Sequence, residues 1–323
     1  MFICCSIIPP LGTWGLMTIS HKTKQFLVLL IKILIVVGAF YFIYNELVNN
    51  DKLDWNKFLV VFKKNQSVLG IVFILYLSFQ NRFLEILKWQ NLVSTFKIIS
   101  VSEATKQVLA ALTAGIFTPN GVGEYAGKAL YYEKSKASEI VFLNLVCNGI
   151  QLILSVVFGI IGLWFLGFGI QVLEILGLIF IVLAILISIK KIKIKGYSIN
   201  DFINKINQIP KIIHRKNILM AIARYLTFSH QTYFLFLAFD VHLPYFSMMA
   251  TIATVYFLAS SLPNFQFLDF AVKGSIGIYF YSLLGVNDWI VIFVTTLMWF
   301  LNIVIPIAIG SFYVLTYKIK NEK

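Results

Sequence analysis

In LTAGIFTPNGVGEYAGKALYYEK, residues 112–134, an otherwise apolar run is broken at its centre by Pro119, Asn120, Gly121, Gly123, Glu124, Gly127 and Lys128. Proline and glycine interrupt helices. Ionisable side chains are costly at the depth of a bilayer. Crossing a ~30 Å hydrocarbon core takes about 20 residues, and the apolar pieces on either side of this turn are shorter than that. The segment therefore reads as a helical hairpin that enters and leaves on one side.

The surrounding composition places that hairpin in a membrane. The 323 residues are 59% hydrophobic and 13% charged, with a mean hydropathy of +0.85. Soluble domains are about 45–50% apolar and about a quarter charged. The chain is expected to be an all-α polytopic membrane protein with a single transmembrane domain over 21–323. The largest charged insert, 190–216, is too short to hold a core of its own. Residues 1–20 read as a tail outside that domain. Met17, followed by the basic start His21, Lys22 and Lys24, reads as the true initiator.

Apolar runs of spanning length occur at 26–44, 68–89, 139–166, 170–189, 217–239 and 288–316, giving six expected crossings. Two broken apolar regions, 104–133 and 246–284, are expected to be re-entrant hairpins. The net charge of +13 is that of basic loops facing anionic lipid rather than nucleic acid. Residues 190–216 hold eight basic residues against Asp201 alone. Placing this loop and both termini in the cytoplasm puts 45–66, 167–169 and 240–245 outside. It also makes hairpin one enter from the cytoplasm and hairpin two from the exterior. The cell membrane is the expected location.

The two turns resemble each other. Pro119-Asn120 is followed by Glu124-Tyr125-Ala126-Gly127-Lys128. About 144 residues on, Pro263-Asn264 is followed by Asp269-Phe270-Ala271-Val272-Lys273. Three crossings separate the copies' starts, so the repeats are expected to be inverted. Broken helices in inverted repeats are a transporter pattern, and irregular backbone at membrane depth survives where it lines a cavity. Arg82 and Arg224 lie at comparable distances upstream of the two turns.

The substrate-binding candidates are therefore Pro119, Asn120, Gly121, Gly123, Glu124, Lys128, Pro263, Asn264, Asp269, Lys273, Arg82 and Arg224. Glu124 and Lys128 are four apart and share a helix face, as do Asp269 and Lys273. Exposed amides at each half-helix start, helped by the lysines, would attract a phosphate. A self-neutralised ion pair is the plainer account. Arg82, Glu85 and Lys88 also read as an interfacial stripe anchored by Trp89. His230 reads as a hydrogen-bonded packing residue, and Asn302 with Pro306 as a kink. Asn144, Asn148 and Gln151 read as interhelical hydrogen bonders. The cysteines and histidines show no metal spacing, no Walker A sequence is present, and no nucleophile–base constellation suggests an enzyme. No cofactor is expected.

The segments TPNGVGEYAGKAL, NRFLEILKW, LPNFQFLDFAVKGSIGIYFY and MWFLNIVIPIAIGSF together resemble the flippase-like transmembrane region of the lysylphosphatidylglycerol synthases and its stand-alone relatives, over roughly 20–318. The resemblance implies a lipid-translocating bundle with two hairpins facing each other. Pro119, Gly123, Glu124 and Lys128 match the first motif, and Pro263, Asp269, Lys273 and Gly274 the second. Lys128 and Lys273 stand where the family often has arginine, which weakens the case for bidentate phosphate binding. The synthases' soluble aminoacyl-transferase domain has no counterpart within residues 1–323. The expected function is translocation of a phospholipid or lipid-linked precursor. The alternatives are a non-transporting partner subunit of a lipid or glycan synthase or glycosyltransferase, and a proton-coupled small-solute transporter using Glu124 or Asp269.

Overall fold

The computed structural model describes residues 67–119, 121–193, 198–263 and 265–317, together with the helical positions Leu30, Leu34, Val37 and Tyr41. Apart from those four positions, the expected span 26–44 lies outside the described residues. So do residues 1–20 and the turn residues Asn120 and Asn264.

The described chain is helical, and its strand-type pairing is a single isolated bridge. Helix α1 (Val68–Val93) starts at Ser67, whose hydroxyl accepts from the Gly70 amide at 3.2 Å. Helices α2 (Val101–Gly115) and α3 (Gly123–Ala129) form the first hairpin, and α2 opens on a Ser100–Glu103 capping box. Helices α4 (Ala137–Phe165) and α5 (Gly169–Ser188) are long and apolar; the short α6 (Ile199–Gln208) follows them. Helix α7 spans Lys211–Ala238. Helices α8 (Tyr245–Ser261) and α9 (Asp269–Ser282) form the second hairpin. The chain then runs through α10 (Asp288–Trp299), a π-helical turn at Phe300–Val304, and α11 (Ile305–Thr316).

Four of these segments are long and apolar enough to cross a bilayer: Val68–Val93, Lys134–Phe165, Gly169–Ser188 and Asp288–Thr316. They coincide with four of the six expected crossings, and the protein is membrane-embedded. The expected crossing at 217–239 falls within α7, which is long enough but too polar to be among them. Its polar residues Asn217, Thr227, Ser229, Gln231 and Thr232 are buried against other helices, so lipid does not have to solvate them. Helix α5 is the opposite case. Only Val172 is buried along its length, and Ile170 and Phe180 are each 72% exposed. An apolar surface of that extent needs a hydrocarbon neighbour.

Four helix pairings hold the bundle together: α1 against α7, α4 against α8, α2 against α11, and α9 against α10. Small residues make the close ones possible. At Gly310 of α11 a side chain would collide with the Leu109 carbonyl and Thr113 of α2. The Thr113 hydroxyl donates across that contact to the Ile307 carbonyl at 3.3 Å. Gly159 and Gly162 of α4 lie in the same way against Phe257 and Ala250 of α8. The first hairpin thus docks on the last helix of the chain, and the second on α4.

Candidate functional site

The two hairpin turns meet. Pro119 forms an antiparallel bridge with Phe265, and the rings of Phe117 and Phe267 lie 6.5 Å apart. Gln266 Nε2 donates to Glu124 Oε1 at 2.6 Å, and Trp299 Nε1 fixes the Gln266 carbonyl at 3.1 Å. Gly121 has φ +67°, where an L side chain is strained, and a side chain there would strike Gln266.

The start of α3 does not offer free amides. Gly123 N donates to Thr118 Oγ1 at 2.7 Å, Glu124 N to the Gly121 carbonyl at 2.9 Å, and Tyr125 N to the Val122 carbonyl at 3.1 Å. The turn is self-capped by Thr118. The expectation of an anion seated on exposed half-helix amides is corrected there. Seven residues of helix also give only a weak dipole.

Charged side chains supply the site instead. Directly against the joined turns lies a cavity of about 270 Å³, lined by Arg82, Glu85, Glu124, Arg224, Asp269 and Lys273 among others. It gathers candidates from α1, α3, α7 and α9. A cleft of about 420 Å³ between Lys106, Tyr131 and Tyr317 has Lys106 as its one charged residue, and one of about 330 Å³ on α7 has Lys211 and Arg215 without a carboxylate, so charges of both signs meet in the 270 Å³ cavity. Lys273 Nζ pairs with Asp269 Oδ2 at 2.7 Å and sits 4.6 Å from the centre of the Tyr256 ring.

The expected ion pair thus forms in the second hairpin and not in the first. Lys128 turns away from Glu124. Its Nζ donates to Asn144 Oδ1 of α4 at 2.6 Å and lies over the Trp89 ring at 4.7 Å. It is buried behind the cavity wall rather than lining it. Lys88 is also buried, with Nζ on the Cys147 carbonyl at 3.0 Å, and Trp89 is wholly buried with Nε1 on Gln107. The reading of Arg82, Glu85, Lys88 and Trp89 as an interfacial stripe is therefore corrected. This end of α1 is packed under α2 and α4, so Lys88 and Trp89 face protein, while Arg82 and Glu85 face the cavity rather than the membrane surface.

A polar network forms the cavity wall opposite the hairpins. Glu85 Oε2 accepts from Arg82 Nη1 at 2.5 Å and pairs with Arg224 Nη2 at 3.3 Å. Arg224 Nε donates to Asn81 Oδ1 at 3.0 Å, and Asn81 Nδ2 to Asn302 Oδ1 at 2.7 Å. Asn302 Nδ2 reaches Gln231 Oε1 at 3.0 Å. The π turn makes this possible. Pro306 has no N–H to give the Asn302 carbonyl four residues earlier, and Arg82 Nη2 donates to that carbonyl instead. Ser78 takes the adjacent Leu301 carbonyl at 2.8 Å. Single π turns commonly mark functional sites.

Comparison with protein-family models, curated proteins and solved structures found no match.

Of the candidates, Arg82, Glu124, Arg224, Asp269 and Lys273 line one cavity, Pro119 and Gly121 form its tip contact, and Gly123 starts α3 beside Thr118. Pro263 precedes the second turn, and Lys128 lies behind the wall. Sequence reasoning did not single out Gln266 or Asn81. Gln266 had one visible signal: it is the only polar residue between Asn264 and Asp269. His230 is hydrogen-bonded, through Nε2 to the Tyr245 hydroxyl at 2.8 Å and through Nδ1 to the Leu226 carbonyl. Asn148 of α4 reaches the Tyr125 hydroxyl at 3.4 Å. Gln151, by contrast, has no partner on either side-chain atom and lines the cavity.

Proposed function

We propose that this chain translocates a phosphate-bearing lipid across the cell membrane, in the manner implied by its resemblance to the flippase-like region of lysylphosphatidylglycerol synthases. One observation carries the reading. A cavity lined by six ionisable side chains lies against the contact between two broken-helix turns, inside a bundle with an apolar exterior. Buried ionisable groups are expensive in a membrane and are kept where they handle a polar cargo. The headgroup would enter this cavity and meet Arg82, Arg224 and Lys273 while the acyl chains stay in lipid. The hairpins would be re-entrant, one from each face, and the tip contact would open and close access alternately.

The packing also supports inverted halves. Each hairpin docks on the helix that follows the other hairpin, and α1 packs on α7, the helix at the corresponding place in the second half. A two-fold relation about an axis in the membrane plane produces such an exchange.

The test is translocation by the purified chain in liposomes carrying fluorescent phospholipids, read by dithionite quenching. Quenching beyond the outer-leaflet fraction is expected, with at least a tenfold loss of rate in Lys273→Ala and in Glu124→Gln while both remain folded. No excess quenching with anionic, zwitterionic or polyprenyl-phosphate lipids would overturn the reading in favour of a non-transporting partner subunit.

A further inference from the structure

Three cations and three carboxylates line the cavity, so its charge balances as a whole. It does not balance locally. Arg82 and Arg224 share the one carboxylate of Glu85, and that wall keeps one positive charge unmatched. Asp269 and Lys273 neutralise each other. Glu124, at the joined turns, forms no ion pair among the described residues and accepts only from the neutral Gln266 amide. Lys128, one turn along, gives its ammonium to Asn144 and the Trp89 ring instead. One unmatched positive and one unmatched negative charge thus border the same space. The unpaired polar atoms divide in the same way. The donor Arg82 Nε belongs to the positive wall, and the acceptor Gln266 Oε1 belongs to the amide that already contacts Glu124. Gln151, on α4, leaves one donor and one acceptor unpaired. Buried charges and polar groups are costly without partners.

We infer that the cavity takes a zwitterionic headgroup, a phosphodiester carrying a single primary ammonium, the chemistry of phosphoethanolamine lipids. The phosphate would meet the Arg82 and Arg224 side and accept from Arg82 Nε. The ammonium would meet Glu124 and donate to Gln266 Oε1, with Gln151 able to serve either end. Each unmatched charge then gains a counter-charge, and the balance of the whole cavity is kept. Other headgroups fail one of these conditions. A diester without an amine leaves Glu124 unmatched and adds a negative charge. A headgroup with a second ammonium brings a positive charge with no carboxylate left for it. A quaternary ammonium has no N–H for the unpaired acceptors, whereas a primary ammonium has three. This inference rests on the translocator reading and narrows its substrate.

The experiment is equilibrium binding to the purified full chain in neutral detergent, followed by tryptophan fluorescence, since Trp299 lines the cavity. The probes are the dioctanoyl forms of phosphatidylethanolamine, phosphatidylcholine and phosphatidylglycerol, and soluble glycerophosphoethanolamine. Phosphatidylethanolamine is expected to bind at least tenfold more tightly than either other lipid, and at least a hundredfold more tightly than glycerophosphoethanolamine. Glu124→Gln keeps an acceptor for Gln266 but removes the charge, and should cut the preference over phosphatidylglycerol to threefold or less. Equal affinity for phosphatidylethanolamine and phosphatidylglycerol overturns the inference, whether or not the variant folds. Phosphatidylcholine bound as tightly as phosphatidylethanolamine overturns it too, because the N–H donors would then not be read. An unchanged preference in folded Glu124→Gln overturns it as well. Glycerophosphoethanolamine binding as tightly as the lipid would overturn the lipid source and point to a soluble zwitterion. In liposomes with acyl-labelled lipids, translocation of all three at the same rate with equal binding would sink this inference alone, while translocation of none would remove the reading beneath it.

Discussion

Glu85 and Glu124 are both buried carboxylates of one cavity, yet their loss should differ widely in its cost to stability. Glu85 holds two guanidinium groups, and Glu85→Gln leaves both without a counter-charge. Removing one partner of a buried ion pair costs about 3–5 kcal/mol, so this variant should unfold at markedly lower temperature in detergent. Glu124 accepts from a neutral amide, and the carbonyl oxygen of Glu124→Gln can accept the same bond from Gln266. That variant should lose less than about 1 kcal/mol. Thermal unfolding of the two side by side checks the contrast, and equal losses would contradict the partner assignment. At this scale the sequence was informative wherever a charge stood in apolar surroundings: Arg82, Glu124, Arg224, Asp269 and Lys273 all lie on the cavity. It was silent on direction. The four-residue spacing allows Lys128 to meet Glu124, but Asn144 and Trp89, brought up by other helices, offer a closer acceptor and a ring face. Nothing in a single helix's spacing reveals that competition.

Among the elements, α6 is the clearest case of a helix fixed by its own first turn. Ser198 Oγ accepts from Asp201 N at 3.1 Å, and Asp201 Oδ2 accepts from Ser198 N at 3.0 Å and from the Ser198 hydroxyl at 2.7 Å. These bonds favour the carboxylate and hold Asp201 below its ordinary value of 3.8. A depressed folded pKa means the cap contributes fully above the unfolded value and is lost as pH falls through the folded one. Protection of the 199–208 amides, corrected for intrinsic exchange, should therefore drop only below about pH 4. Ser198→Ala should lower it at neutral pH as well. Protection unchanged in both would show that packing alone holds α6. The Ser-x-x-Asp spacing that makes this cap is local in sequence, but the charge reading of 190–216 passed over it. The π turn was visible only as a kink at Asn302 and Pro306. What fills the freed carbonyls is Ser78 and Arg82, more than 200 residues away in sequence, and no local pattern carries that information.

For the whole molecule, the apolar exterior and the four spanning helices follow from composition and run length, which is why they were legible without any contact information. The crossing expected at 217–239 was read from run length too, but α7 is too polar to stand with those four, and its buried polar residues are met by partner helices rather than by lipid. The proposed arrangement makes a sidedness prediction. In intact cells, a membrane-impermeant maleimide should label Asp240→Cys and Asn287→Cys, which lie in the loops before and after hairpin two. It should reach Lys97→Cys and Lys191→Cys only after permeabilisation. Labelling of Lys191→Cys in intact cells would mean that a hairpin crosses, and the two halves would no longer be inverted.

The bond between Arg82 and the Asn302 carbonyl also bears on how the protein is made. The two residues are 220 positions apart. At a synthesis rate of about 5–20 residues per second, Arg82 leaves the ribosome roughly 10–40 s before its carbonyl partner exists. Throughout that interval α1 must sit at the translocon with a guanidinium that lipid rejects. Glu85, three residues along the same helix, is a countercharge that α1 brings with it. Until the last helix arrives, that pairing would offset the guanidinium as α1 enters the bilayer. Afterwards the same carboxylate is shared with Arg224 in the wall of the cavity.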